Sequence, residues 1–293
     1  MILRPFGTTG LTVSALAFGA GSVGSPDTPD ERVARLVDVA LDLGVTLLDT
    51  ARSYGLSEDR LGRLLHGHRD RVVLSTKLGY GVDGVADWTG PCVTAGVEGA
   101  LRRLRTDRID VVHLHSCGLD TLRHGDVVRA LEGAVAAGKV RVAAYSGEGD
   151  ALQWAVESGS FGSVQCSVSA VDQGALDGPV AAARARGLGV LAKRPLGNAP
   201  WRFDGRPDAG DVAEAWGRFH AMGLDPRDPT WAETFARFAA FAPGVDAILV
   251  GTADERHLRA AADAVAKGPL DDATACSLRA AYARVGEAWG GRV

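Results

Sequence analysis

Lysine is scarce in this chain. Only four of its 32 basic residues are lysines, Lys77, Lys139, Lys193 and Lys267; the rest are arginines. A surface that does without lysine makes the placement of each one worth following. Cysteine is scattered: Cys92, Cys117, Cys166 and Cys276 lie far apart and form no CxxC or mixed Cys/His ligand cluster. Neither a disulfide framework nor a metal site is expected, and the thiols read as free in a reducing, cytoplasmic setting. No apolar stretch approaches about 18 residues, so no membrane span is expected. The opening "MILRPFGTTGLTVSALAFGAG" lacks a basic region followed by a long apolar run, so no signal peptide is expected. A net charge of −4 gives no electrostatic reason for a nucleic-acid or anionic-membrane partner.

What is present is a regular alternation. The strand-like runs are "SALAFG" (14–19), "VTLLDT" (45–50), "RVVLSTK" (71–77), "IDVVHLH" (109–115), "VRVAAYS" (140–146), "SVQCSVS" (163–169), "LGVLAKRP" (188–195) and "DAILVG" (246–251). Between them, helix-period patterns predict helices over 29–43, 57–67, 92–105, 124–137, 149–158, 175–186, between 210 and 241, to 266, and over 271–287. Thr28-Pro29-Asp30-Glu31 and Thr252-Ala253-Asp254-Glu255 read as capping boxes. The strands look apolar on both faces, as parallel strands buried between layers do. Eight strand–helix units without a composition break predict one α/β domain over 1–293, a closed (β/α)8 TIM barrel with extra C-terminal helices. A doubly wound open sheet is the runner-up, but no G-x-G-x-x-G turn follows the first strand.

In such a barrel, polar residues at strand C-terminal ends gather around one mouth. Four titratable groups fall there: Asp49 after the second strand, Tyr54 in its loop, Lys77 ending the third, His115 ending the fourth. A free phenol, with a pKa near about 10, is a poor proton donor at neutral pH. A nearby ammonium favours the phenolate, a carboxylate keeps that ammonium charged, and a histidine can orient a substrate oxygen. The set would protonate an oxygen as charge develops on it. His113 shares the parity of His115 and is expected to be buried and structural.

These residues carry a specific resemblance. "DTARSYGLSEDRLGRLL" resembles the signature of the aldo-keto reductases, and "RPFGTTGLTVSALAFG" resembles that family's N-terminal β-hairpin and first strand. "VVLSTK", "RIDVVHLH", "GKVRVAAYSG" and "ILVGTADERHL" are similar to further family segments in the right order. The resemblance implies that Tyr54 is the general acid/base, Lys77 its activator, Asp49 the holder of Lys77, and His115 the group that orients the carbonyl. It also implies an extended nicotinamide dinucleotide across the mouth. Gly19, Ala20 and Gly21 would allow its close approach, Ser146 and Gln165 would hold the carboxamide, and Gly251 and Thr252 would lead to a helix whose N-terminus meets a phosphate.

Several positions depart from the family pattern. Gly147 stands where an asparagine is common, and Lys193, with Arg194 beside it, replaces the aromatic that usually stacks on the nicotinamide. The Lys193 stem is expected to cover the ring, with its charge or that of Arg194 meeting substrate or pyrophosphate. The basic position for a 2′-phosphate falls near His257, with Arg256 adjacent, while Gly251 takes the usual lysine position and Ala260 and Ala261 replace adenine contacts. NADP(H) is favoured over NAD(H). Tyr80, Trp88, Trp201, Arg202 and Trp289 are candidates for recognising a small carbonyl or sugar substrate. The resulting expectation is an NAD(P)(H)-dependent oxidoreductase interconverting a carbonyl and an alcohol. Alternatives are a cofactor-sensing binding protein on the same fold and a Schiff-base lyase using Lys77 or Lys193. Oligomeric state is left open.

Overall fold

The computed structural model describes residues 1–208, 210–286 and 289. A short antiparallel hairpin comes first, β1 (Leu3–Pro5) with β2 (Thr12–Ser14). Eight parallel strands follow: β3 (Leu16–Gly19), β4 (Leu47–Asp49), β5 (Val73–Leu78), β6 (Ile109–His115), β7 (Val140–Ser146), β8 (Ser163–Ser167), β9 (Gly189–Lys193) and β10 (Ala247–Gly251). They close in chain order, β10 pairing with both β9 and β3. This is a (β/α)8 TIM barrel. The helices between and after the strands are α1 (Asp30–Asp42), α2 (Ser57–Leu64), α3 (Gly90–Leu104), α4 (Leu119–His124), α5 (Asp126–Ala136), α6 (Gly149–Glu157), α7 (Ala181–Ala185), α8 (Gly210–Ala221), α9 (Trp231–Ala240), α10 (Glu255–Ala266) and α11 (Asp272–Ala283). Among the described residues no helix is long and apolar enough to cross a membrane.

Local chemistry explains where the elements differ from expectation. The helix expected over 124–137 is preceded by a separate α4. Gly125, at φ 81°, turns the chain left-handed between α4 and α5, a conformation glycine adopts without penalty. The helix expected over 175–186 opens as a π-turn at Leu176–Val180, with Pro179 inside it and one N–H therefore missing from the ladder. Thr28 makes no capping bond to α1; Asp30 instead pairs with Arg60 and Arg63. At α10 the cap is Asp254, which accepts from the Arg256 N–H, while Thr252 Oγ1 accepts from the Asp254 N–H.

Strand alternation separates two apolar regions. One parity packs outward against the helices and forms the large core. The other parity points into the barrel, where Ala17, Leu47, Val73, Val111, Val142, Ala144, Leu191, Ala247 and Leu249 cluster with Phe6, Leu11 and Val13. The last three belong to the hairpin segment, so the hairpin closes the barrel at the strand starts. The strands are not apolar on both faces along their whole length. Within β6 the inward series runs Val111, His113, His115, and within β5 it runs Val73, Ser75, Lys77. The interior is apolar at the floor and polar toward the mouth.

The loop after β4 is seated on the loop after β3. Ser57 Oγ donates to the Ala20 carbonyl at 2.8 Å, and Thr50 Oγ1 donates to Ser57 Oγ at 2.7 Å. The Leu56 N–H donates to the Gly24 carbonyl at 2.9 Å. A methyl group on Gly24 would overlap the carbonyl oxygen of Tyr54. Gly24→Ala is therefore expected to lower stability by about 2 kcal/mol or more through overpacking. Gly67→Ala, whose methyl would meet nothing within 4 Å, should change it by less than about 0.5 kcal/mol. Urea unfolding of the two variants measures the difference.

Candidate active site

At the polar end of the barrel, the Lys77 ammonium is almost fully buried and pairs with Asp49 Oδ2. It also donates to the Thr50 carbonyl at 2.9 Å. The remaining Asp49 oxygen accepts from Ser75 Oγ at 2.7 Å and from Gln165 Nε2 at 3.3 Å. The carboxylate is thus held by three side chains from two other strands, β5 and β8. The Lys77 Nζ lies 4.9 Å from the centroid of the Tyr54 ring. Burial would lower the Lys77 pKa, but Asp49 and Tyr54 outweigh it, and the amine is held above its ordinary value. Lys77 is an ammonium throughout the neutral range.

His115 faces Tyr54 edge-on, with ring centroids 6.0 Å apart. Burial, reinforced by the Lys77 charge, pushes its pKa down to about 3. The imidazole is neutral at working pH. His113 lies two residues deeper on the same inward face and is fully buried. Neither of its nitrogens makes a hydrogen bond of good geometry, and burial pushes its pKa down to about 4. The structure therefore brings Asp49, Tyr54, Lys77 and His115 together and keeps His113 below them.

Ser146 Oγ, at the end of β7, and Gln165 Oε1, midway along β8, are 3.1 Å apart, both buried. Gly19 and Gly251 pair across β3 and β10 and present bare backbone at the mouth. Ala20 is buried, its N–H donating to the Asp49 carbonyl at 2.8 Å, and the Tyr54 ring lies against Gly21. Thr252 is buried, with its hydroxyl 3.2 Å from His257 Nδ1. Arg256 is largely exposed and bonds Asp254 at 2.6 Å.

Three further candidates have partners within the protein. The Lys193 ammonium reaches Glu148 Oε1 at 3.2 Å, and burial lowers its pKa. Arg194 pairs with Asp211 at 3.0 Å and lies 3.4 Å from Ser167 Oγ. The Trp201 ring is partly buried and packs edge-on against Phe235, centroids 4.9 Å apart, and beside Phe219, so it helps consolidate the α8–α9 region. Tyr80 and Trp88 pack on each other above His115, with centroids 5.3 Å apart.

Reading the sequence missed Glu148, which is buried and accepts from the Ser167 N–H at 2.8 Å as well as from Lys193. Its position just past a strand end, the criterion that found Asp49, was the available signal. Gly147 has a local cause. A side chain there would overlap the Tyr145 hydroxyl, which donates to the Cys117 carbonyl at 2.8 Å. The space an asparagine would need is already filled.

A closed barrel with a buried lysine–aspartate pair beside a phenol and a neutral imidazole defines a class, and sequence comparison agrees. The profile of the Aldo/keto reductase family matches residues 15–283. The chain belongs to the aldo/keto reductase family and is an oxidoreductase. It is 30% identical to L-galactose dehydrogenase of Arabidopsis thaliana over 221 residues, 70% of this chain and 69% of that enzyme. It is 33% identical to 6-dehydroglucose reductase of Novosphingobium aromaticivorans over 155 residues, spanning 49% of this chain and only half of that relative. Among solved structures, one from Pseudomonas aeruginosa described as an aldo-keto reductase superposes with a TM-score of 0.73 at 31% identity, covering 90% of this chain and 96% of the other.

The two depressed histidines carry a pH signature. Their folded pKa values lie below the unfolded reference of about 6.5, so the unfolded chain binds more protons between about 3 and 6.5. Their contribution to stability is complete above about 6.5 and is lost as pH falls. Between pH 7 and pH 5, His113 alone should account for about 2 kcal/mol of lost stability. Urea unfolding at the two pH values should show a shallower dependence in His113→Gln than in the wild type.

Proposed function

We propose that this protein interconverts the carbonyl and alcohol forms of a small polar substrate of the sugar class, using NAD(P)(H), with Tyr54 as the proton donor and acceptor. The observation that carries this reading is the Lys77 ammonium, buried between Asp49 and the Tyr54 ring. As a carbonyl is reduced, its oxygen gains negative charge and takes a proton from Tyr54. The phenolate left behind sits beside a fixed positive charge that needs no reorganisation. Asp49 keeps Lys77 charged and in place. His115, neutral at working pH, can donate one hydrogen bond to the same oxygen. In the reverse direction the phenolate removes the proton from the alcohol.

The residues present fit a nicotinamide dinucleotide. Gln165 gives one N–H to Asp49 and shares its oxygen with Ser146; an amide has two N–H donors, so the second can meet a carboxamide. Gly19, Gly21 and Gly251 offer backbone without side chains, and the N-terminus of α10 lies just beyond Thr252. A bound nicotinamide supplies or accepts the hydride. Lys193 is read as a wall whose charge is balanced by Glu148. Arg256 is read as the partner of a 2′-phosphate, with NADP(H) ahead of NAD(H); it would exchange its bond to Asp254 for a charge-assisted one. The sugar class rests on the names of the two curated relatives. A Schiff-base reading has less support: Lys77 stays an ammonium and Lys193 is ion-paired.

Tyr54→Phe should reduce turnover by about 100-fold or more while leaving NADPH binding, read by fluorescence titration, nearly intact. Undiminished carbonyl reduction by this variant would reject the assignment. Arg256→Ala should weaken NADPH binding and leave NADH binding unchanged; equal effects on both would remove the 2′-phosphate role.

A further inference from the structure

The loop after β5 brings an aromatic side chain, Tyr80, onto His115. The Tyr80 hydroxyl lies 3.1 Å from His115 Nδ1 and 3.1 Å from Ser53 Oγ. Its ring stacks on the imidazole, with centroids 5.6 Å apart and planes 26° from parallel. On its other flank it meets Trp88 at 5.3 Å.

The loop is built to hold this arrangement. Trp88 takes a left-handed backbone conformation at φ 58°, uncommon for a bulky residue. Its N–H donates to the Gly79 carbonyl at 2.7 Å. The Gly81 N–H donates to Asp87 Oδ1 at 2.8 Å. Arg52, two residues before Tyr54, donates from Nε to the Gly81 carbonyl at 2.8 Å. The segments carrying Tyr54 and Tyr80 are thus tied at two places, Arg52 to Gly81 and Ser53 to Tyr80.

A neutral imidazole carries one proton, on either Nδ1 or Nε2, and the partner of one nitrogen decides the state of the other. We propose that Tyr80 is a positioning residue that fixes His115 as its Nε2–H tautomer, so that His115 presents a donor to the substrate oxygen. The proposal rests on the carbonyl–alcohol reading above. Tyr80 has one proton and two neighbours for it, Ser53 Oγ and His115 Nδ1, and a hydroxyl rotates to suit its partners. In the proposed arrangement the proton goes to His115 Nδ1, the Tyr80 oxygen accepts from Ser53, and His115 Nε2–H is left for the ligand. A phenol is a stronger donor and a weaker acceptor than an alkyl hydroxyl, which favours Tyr80 spending its proton on an imidazole nitrogen, the strongest acceptor within its reach, over accepting from the ring and donating to Ser53. The opposite tautomer would point a lone pair at an electron-rich oxygen. The depressed pKa of His115 agrees, since a protonated ring would carry both protons and need no selection.

The test is nitrogen-15 NMR of the full chain at pH 7 with ring-labelled histidine, the His115 signals being assigned by their absence in His115→Gln. The wild type should show a pyridine-type Nδ1 and a pyrrole-type Nε2. Tyr80→Phe, which keeps the ring and removes only the hydroxyl, should raise the Nδ1–H population and lower kcat/KM by roughly tenfold, with NADPH affinity unchanged. A wild-type Nδ1–H ring overturns the proposal even if the variant does not fold. An unaltered His115 spectrum in folded Tyr80→Phe overturns it as well. If the tautomer behaves as expected but no carbonyl compound is reduced by the wild type, the functional reading fails while the assignment of Tyr80 stands.

Discussion

The Lys77–Asp49 ion pair is the contact on which the polar half of this barrel depends. Two charges removed from water are costly unless the remaining donors and acceptors are also met. Here they are met from several directions: Ser75 and Gln165 on the carboxylate, the Thr50 carbonyl and the Tyr54 ring around the ammonium. Removing either partner would leave an uncompensated buried charge, at a cost of about 3–5 kcal/mol. The pair also ties β4, β5 and β8 across the lumen, so the same charges that serve the phenol brace the strands around it.

That brace is needed because the lumen changes character along its length. At the strand starts Phe6, Leu11 and Val13 pack with small and branched side chains from the barrel strands. Two residues further along each strand the same inward face becomes Ser75, His113 and Gln165, and at the ends Lys77, His115, Ser146 and Lys193. Burial among these groups explains the electrostatics. It drives His113 and His115 to the neutral form and depresses Lys193, while Lys77 alone gains enough opposing charge to stay above its ordinary range.

How much of this was legible in the sequence follows from the range of the interactions. The eight strands were found within about two residues because apolar runs and turn residues are local signals. Asp49, Lys77 and His115 were legible because a strand end and its parity fix where a side chain points. Ion-pair partners were not. Glu148 follows β7 and Lys193 ends β9, two strand–helix units apart, and nothing in either stretch announces that they meet. The packing of Trp201 on Phe235 was not legible, because an aromatic in a loop has the same local appearance whether it meets a ligand or a neighbouring ring. The break at Gly125 was hidden by helix-forming residues on both sides, and Gly147 acquires its reason only when Tyr145 is seen filling the space.

The hairpin seal at the barrel floor divides the labour of the cylinder. With Phe6, Leu11 and Val13 stopping the lower end, the ionisable groups around Lys77 face the opposite end alone. Cohesion is concentrated at one rim and charge at the other, so repacking the base can alter how firmly the staves hold without touching the acids and bases above.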